Sequence, residues 1–185
     1  PLSTNVAQAA PAIEIGVTAA VRPNVHGTPP DQETRILTVG TDLYADESVI
    51  TSKQGQTHLL FVDGSTLSMG PGSEVTLDHF VYDPDRKAGE LVVSASKGLL
   101  RFVGGRISKT RPVLIKTPSS VIGIRGGIAL IQVGDADTPA AVTMLYGQEA
   151  FMERNGQRQT VTRPGYRIVE TQDGGIEEPK PATQE

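Results

Sequence analysis

The stretch SSVIGIRGGIALIQV, residues 119–133, contains the most apolar run of the chain, and three glycines and one arginine interrupt it. Its Val, Ile and Leu residues are typical of a buried strand. Gly123, Arg125, Gly126 and Gly127 are not, because glycine weakens a strand and arginine carries a fixed charge. The stretch lacks the G-K-S/T ending of a phosphate loop and the G-x-G-x-x-G spacing of a dinucleotide site. We therefore interpret it as a strand whose glycines and arginine have a structural cause.

Strand alternation predicts that Arg125 is an internal tie. Two faces follow from a regular alternation, one with Gly123, Arg125, Gly127 and Ala129 and the other with Ile122, Ile124, Gly126, Ile128 and Leu130. The guanidinium then lies over a groove without bulky neighbours, where it can bond backbone carbonyls or a carboxylate of a crossing segment. An arginine that binds a partner is the alternative. Gly123, Arg125, Gly126 and Gly127 are thus structural or interaction candidates.

Composition restricts the class of protein. A chain of 185 residues can form one core, or one domain with tails. The net charge of −4 argues against a general nucleic-acid-binding protein, which is normally basic. No apolar run approaches the roughly 18 residues of a membrane helix. The absence of Cys excludes disulfides and thiol chemistry within the sequence.

Turn-forming residues recur about every 8–12 residues, with short runs of β-forming residues between them. This pattern predicts an all-β fold with many short strands and little helix, either a solenoid or a sandwich. A single turn of helix fits only residues 31–37, DQETRIL.

The two ends differ from the middle of the chain. Residues 1–12 are small and polar, and Ala7–Ala9 forms the A-x-A pattern that a signal peptidase accepts. We interpret residues 1–12 as a flexible segment that contains the end of a signal peptide, with an ordinary flexible tail as the alternative. Residues 13–170 form the predicted β domain. Residues 171–185 form an acidic, Pro-rich tail that has too few apolar residues to order itself.

Asp63–Gly64 is the strongest hairpin signal, because a two-residue type I′ turn needs positive φ at both central positions. Asp63 and Gly64 are therefore also structural or interaction candidates. Such a loop pairs Leu60 with Leu67 and Val62 with Ser65. The predicted shared face consists of Leu60, Val62, Leu67 and Met69.

Catalytic, cofactor and metal sites are not expected. None of His26, His58 and His79 has a second His or a Cys at ligand spacing, and no G-x-S-x-G motif is present. A calcium loop formed by Asp83, Asp85 and Glu90 stays open as an alternative to an ordinary charged loop.

A second candidate for binding is a basic patch on an acidic chain. Its members are Arg101, Arg106, Lys109 and Arg111, with Lys97 and Lys116 nearby. Such a patch can meet an acidic partner, an anionic glycan or a lipid phosphate. An ordinary solvated loop explains the same residues.

Several spaced motifs resemble the FecR domain family over roughly residues 15–170. The motifs are the D-G-S turn at Asp63–Ser65, K-G-x-L-R-F at Lys97–Phe102, K-T-P at Lys116–Pro118 and G-I-R-G at Gly123–Gly126. The resemblance implies an extracytoplasmic, all-β, solenoid-like domain without a known catalytic site. Its best-known members relay the occupancy of an outer-membrane transporter to a cytoplasmic sigma factor.

The sequence departs from those members, since it shows neither an anti-sigma region nor a membrane helix, and Gly127 replaces the usual hydroxyl residue. We therefore expect a non-enzymatic protein-interaction or scaffold module, periplasmic or extracellular, that self-assembles through open β ends and tails. A sensory or regulatory module that binds a receptor or an envelope polymer is the alternative. The expected partner is a protein, with a second copy of the chain in a homo-oligomer or filament as one candidate. Nucleic acid is not an expected partner, and no cofactor is expected.

Overall fold

A computed structural model of the chain describes residues 12–182, so the predicted signal-peptide end at Ala7–Ala9 lies outside the described residues. The described part contains sixteen strands and one short helix. The elements are β1 (Glu14–Arg22), β2 (Val25–Thr28), β3 (Arg35–Ile36), β4 (Asp42–Tyr44), β5 (Ser48–Thr51), β6 (Gln56–Phe61), β7 (Thr66–Met69), β8 (Glu74–Asp83), β9 (Ala88–Lys97), β10 (Leu99–Val103), α1 (Arg106–Thr110), β11 (Val113–Lys116), β12 (Val121–Gln132), β13 (Ala141–Arg154), β14 (Gln157–Val161), β15 (Tyr166–Val169) and β16 (Lys180–Pro181).

The all-β prediction is confirmed, and the solenoid or sandwich form stays a prediction. The helix lies at α1, in the basic segment, and not at residues 31–37, which contain strand β3. The single short helix agrees with the scarcity of helical periodicity in the sequence.

The apolar stretch of the opening motif is the central strand, β12. One edge of β12 pairs with β13 over nearly its whole length. The other edge is shared, since β11 pairs with the first half of β12 and β10 with the second half. Two branches of one mixed sheet start there, β11-β9-β8-β5-β2-β3 and β10-β7-β6-β1-β4. Among the strand pairs, β9 with β11 is parallel and the others are antiparallel.

The two branches curl until they face each other across one hydrophobic core. The ring of Phe61 on β6 stacks on the ring of Phe80 on β8, with 5.9 Å between centroids. The outer ends of the branches are joined by residues 37–41. Leu37 N–H donates to the carbonyl of Val25 on β2, and Gly40 N–H donates to the carbonyl of Thr18 on β1. The core therefore lies inside a single curled sheet.

The predicted register of the β6–β7 hairpin is wrong by one residue. Leu59 pairs with Leu67, and Phe61 N–H donates to the Ser65 carbonyl. The loop has three residues, and it ends at Gly64 with φ +83. A shift of one residue exchanges the faces of a strand, so the predicted face with Leu60 and Val62 breaks up. Leu59, Phe61, Leu67 and Met69 are buried, whereas Leu60 and Val62 are 38% and 52% exposed.

The predicted alternation along β12 holds only in its first half. Ile122 and Ile124 face the core, but Ala129 and Ile131 do so further along, and Leu130 is only half-buried. The alternation changes phase because Gly126 has φ +53, a left-handed conformation. The pairing with β13 shifts further along, between Ile128 and Ala129, which makes a β-bulge.

The predicted division at residues 12 and 170 stays a prediction, but residues 171–182 follow the sheet. Strand β16 pairs with β15, and Ile176 packs against the core. The buried carboxylate of Glu170 holds this region, since Arg154 Nη1 and the Ser119 hydroxyl donate to it at 2.9 and 2.8 Å.

Candidate protein-interaction surface

Asp63, a candidate from the sequence, is buried and joins the β6–β7 turn to helix α1. Its Oδ1 accepts from Ser65 N–H at 2.9 Å, and its Oδ2 accepts from the Ser65 hydroxyl at 2.8 Å and from Ile107 N–H at 3.1 Å. Arg106 N–H donates to the Asp63 carbonyl at 3.0 Å. The turn therefore satisfies amide groups that a helix start leaves without partners. The role of Asp63 in the structure is to fix α1.

Gly105 completes this contact, although it is not among the candidates predicted from the sequence. Its N–H donates to Ser65 Oγ at 2.9 Å. A Cβ at Gly105 would lie 2.2 Å from Ser65 N, so a larger residue would push the two segments apart. The D-G-S turn and the G-G pair before α1 are thus one structural unit.

Gly123 provides a flat floor for an aromatic ring. A Cβ on Gly123 would lie 2.0 Å from Cε1 of Phe151 on β13. The guanidinium of Arg158 lies over the ring, 3.6 Å from the ring centroid. This cation–π stack buries Phe151 although it lies on the outer side of the sheet.

Gly126 and Gly127 allow a close backbone approach where β12 changes phase. A Cβ on Gly127 would lie 2.1 Å from the carbonyl oxygen of Tyr146, and one on Gly147 would lie 2.2 Å from that of Gly126. Gly104 N–H also donates to the Gly127 carbonyl at 2.7 Å. Close packing of the backbone therefore explains why glycine occurs at Gly126, Gly127 and Gly147.

Arg125 does not form the internal tie that we predicted. Its side chain is exposed, and within residues 12–182 it makes no hydrogen bond and no ion pair. The reason is that its side chain lies on an outward part of β12 that is open to solvent. Its neighbour across the strand pair is Glu149. Arg125 stays an interaction candidate only.

The predicted basic patch is divided between separate parts of the surface. Arg101 lies on β10, between Ser68 of β7 and Leu130 of β12. Arg106 and Lys109 project from α1 into a different hollow of about 540 Å³. Arg111 is exposed at the end of α1. The structure therefore brings Arg106 and Lys109 together but separates Arg101 from them.

The outer face of strands β6, β7, β10, β12 and β13 contains a continuous row of mainly apolar side chains, which we call the apolar row. Each member lies opposite the next on five neighbouring strands. The row consists of Leu60, Thr66, Val103, Ile128 and Tyr146. Tyr146 at one end is 69% exposed and Leu60 at the other is 38% exposed, so the row is open to solvent.

Beside the apolar row lies a groove over strand β7, which we call the β7 groove. Its volume is about 530 Å³. The floor is formed by Ser68 on β7 and by Gly70, which follows β7, so the floor is low. His58 on β6 bounds the groove on one side, and Leu99 and Arg101 on β10 bound it on the other. The sequence did not indicate this groove, because its parts come from five strands.

The remaining charged candidates do not form a site. Asp83 Oδ1 accepts the N–H groups of Asp85 and Arg86 within its own turn, whereas Glu90 lies 3.6 Å from His79. Within residues 12–182, no three His, Cys, Asp or Glu side chains are grouped for a metal. The structure thus gives no support to the calcium loop.

An acidic hollow of about 910 Å³ lies near the C-terminal end of the described chain. Backbone N–H groups of Asp137 and Thr138 hold the pKa of Asp135 below its usual value. A hydrogen bond from the Thr171 hydroxyl and the backbone of Gly175 lower the pKa of Asp173. Both carboxylates therefore order their own loops.

The family is decided by a match to the model of the FecR protein family, which covers residues 47–148, more than half of the 185 residues. The chain belongs to the FecR family. The matched part includes the Asp63 contact with α1, the whole apolar row and four of the five strands that form the β7 groove. The outer wall from β1 and strands β14 to β16 lie outside it.

Two solved structures are similar to this FecR-family chain, both of a candidate anti-sigma factor from Parabacteroides distasonis ATCC 8503. The 2.50 Å structure has 15% sequence identity and a TM-score of 0.59, and the 1.65 Å structure has 14% and 0.58. Each match covers 72% of this chain and 59% of that one, so this chain spans less than two thirds of that protein. At this identity the likeness establishes a shared fold. No curated protein sequence matches the chain.

Among residues 12–182, no helix is both long and apolar enough to cross a membrane.

Proposed function

We propose that this FecR-family chain is a non-enzymatic regulatory or sensory module that acts by binding another protein. The observation that carries the proposal is the exposed apolar row. A solvated face of an antiparallel sheet normally carries polar side chains, whereas this one presents Leu60, Val103, Ile128 and Tyr146 across its strands, with Thr66 between the first two. Exposed, contiguous apolar surface on a rigid scaffold is typical of an interaction site.

The chemistry of the other candidates supports a binding role over an enzymatic one. The Asp63 carboxylate already accepts hydrogen bonds from its own turn and from α1. His58 Nδ1 lies 2.7 Å from the Ser68 hydroxyl, and His58 has no carboxylate partner among the described residues. Triad chemistry needs a third group that orients the histidine. The family membership and the anti-sigma-type fold favour regulation through a protein partner.

We place the protein in the periplasm or outside the cell. The support is the A-x-A pattern at Ala7–Ala9 and the extracytoplasmic character that the FecR resemblance implies. Fractionation of the native host with an antibody against the chain tests this placement. Recovery in the cytoplasmic fraction would overturn it.

The binding role is tested by quantitative capture from an envelope extract. The bait is the purified chain, either unchanged, with Leu60→Ser and Tyr146→Ser, or with Val81→Ser as a matched control on the exposed part of β8. We expect one protein to be retained by the unchanged chain and the control and lost with the row variant. Identical captured sets for all three baits, or an empty set, would contradict the proposal.

Self-assembly, a prediction from the sequence, is the second candidate. Its support is strand β14, which pairs only with β13 among the described strands and so leaves an edge for another chain. Residues 37–41 argue against self-assembly through the main branches, because they already join the two outer ends of those branches. Light scattering on the purified chain tests it: a monomer at all concentrations would remove this candidate.

A further inference from the structure

We propose that the β7 groove and the apolar row together bind an extended acidic segment of the partner protein, with an acidic residue and an apolar residue two positions apart. This inference rests on the proposed function and adds the chemistry of the partner. Its three supports are the shape of the groove, the charges that line it, and the spacing between the groove and the row.

The shape of the groove suits an extended chain. Its floor is formed by Ser68 and Gly70, where β7 presents almost no side-chain volume, and a volume of about 530 Å³ lies within the usual range for a bound ligand. Strand β7 is itself paired on both edges, with β6 and β10. A bound segment therefore lies on the face of the sheet and recognises side chains, and it does not add a strand at an edge.

The charges of the groove are of one sign. Arg22 and Arg101 line it, and no Asp or Glu does, although the chain as a whole has a net charge of −4. Within residues 12–182, neither guanidinium forms an ion pair, and neither side chain donates a hydrogen bond. Two unpaired guanidinium groups over an apolar wall favour a carboxylate, which each can bind through two parallel hydrogen bonds.

The strands themselves set the spacing between the β7 groove and the apolar row. Arg101 and Val103 lie two residues apart on β10, so they point to the same side of the sheet. His58 and Leu60 repeat this step on β6, which runs next to β7. An extended ligand that runs along the strands has the same repeat of about 7 Å for two residues. An acidic side chain over Arg101 thus places its second neighbour over the apolar row.

The test uses fluorescent synthetic peptides of about eight residues, long enough to span β7 and the row. The probe repeats Glu-Thr-Leu-Thr, which places Glu and Leu on one face. Two controls replace either Glu with Lys or Leu with Ser. We expect anisotropy to show binding of the probe to the full chain, at least about tenfold weaker binding of each control, and loss of binding in high salt.

Variants of the protein locate the site. We expect Arg22→Glu and Arg101→Glu each to weaken probe binding about tenfold, because like charges then meet in the groove. Lys116→Glu on β11 is the matched control, since it is an exposed charge reversal outside the groove. Arg101→Gln replaces Arg101→Glu if the latter does not fold, with circular dichroism as the check.

Several results would overturn the inference. These are equal binding of the Glu and Lys peptides, equal binding by Arg101→Glu and Lys116→Glu, absence of probe binding, binding of phosphatidylglycerol vesicles in place of the probe, and dimerisation of the chain through the groove in light scattering. The proposed function survives each of them if the captured protein still depends on Leu60 and Tyr146. The proposed function fails, and the inference on the groove does not, if the peptide binds but no partner protein is captured.

Discussion

The carboxylate of Asp63 accepts a hydrogen bond from the backbone N–H of Ile107 at 3.1 Å, across a separation of 44 residues. Both residues are buried, so water cannot replace the bond. The contact holds the only helix of the described chain against the β6–β7 turn. It thereby sets the position of Arg106 and Lys109 at the edge of the outer face.

Replacement of Asp63 by Ala should lower the free energy of unfolding by about 2–4 kcal/mol, because several buried N–H and O–H donors lose their acceptor. Asp63→Asn should cost less, since one amide oxygen remains. Urea denaturation measures both, and Asp137→Asn, at an exposed side chain, is the control. A loss below about 0.5 kcal/mol for Asp63→Ala would show that the contact with α1 is dispensable.

Gly123→Ala should destabilise the protein by about 1–3 kcal/mol, because the new Cβ overlaps the ring of Phe151. Removing the ring should remove the conflict. The double variant Gly123→Ala with Phe151→Leu should therefore be more stable than the sum of the two single losses predicts. Strictly additive losses in urea denaturation would mean that ring and glycine do not contact each other in solution.

Arg125→Ala should change the free energy of unfolding by less than about 0.5 kcal/mol, since the side chain is exposed and makes no bond to the described residues. Thermal and urea denaturation measure this. A loss of 2 kcal/mol or more, on the order expected for a buried bonded group, would restore the internal tie that the sequence suggested.

The lowered pKa values of Asp135 and Asp173 predict how two loops respond to acid. Backbone N–H groups of Asp137 and Thr138 bind the ionised form of Asp135, and the Thr171 hydroxyl binds that of Asp173. Their contribution to stability is present above the unfolded value of 3.8 and is lost as pH falls through the lower folded pKa. Carboxyl carbon shifts in NMR should titrate with midpoints below 3.8, and midpoints at or above 3.8 would contradict the hydrogen bonds.

The fold class was predictable from local patterns, and the register was not. Frequent turn residues and short β-forming runs indicate strands without any knowledge of pairing. The β6–β7 turn shows the limit of prediction from local sequence patterns. Asp63–Gly64 marks the turn correctly, but the loop gains a third residue because Asp63 bonds Ser65 and Ile107, and Ile107 lies 44 residues away. A partner that distant leaves no mark on the local pattern.

The candidate site was less predictable than the fold for the same reason. The sequence marks the glycines of the opening stretch as structural or interaction candidates, but their contacts, Phe151 and Tyr146, lie on β13. Arg125 is conspicuous in the sequence, but its side chain makes no bond to the described residues. Arg101 gains its setting only when Ser68 and Leu130 are brought beside it on neighbouring strands.

The most direct measurement of the binding role is photo-cross-linking in the native host. A photoreactive amino acid replaces Leu60 in the apolar row, or Val81 on the exposed part of β8 as the control. We expect one heavier cross-linked species from the Leu60 position, containing a second protein, and none from the Val81 position. Cross-links of equal yield from both positions, or a Leu60 product that contains only this chain, would contradict the proposed function.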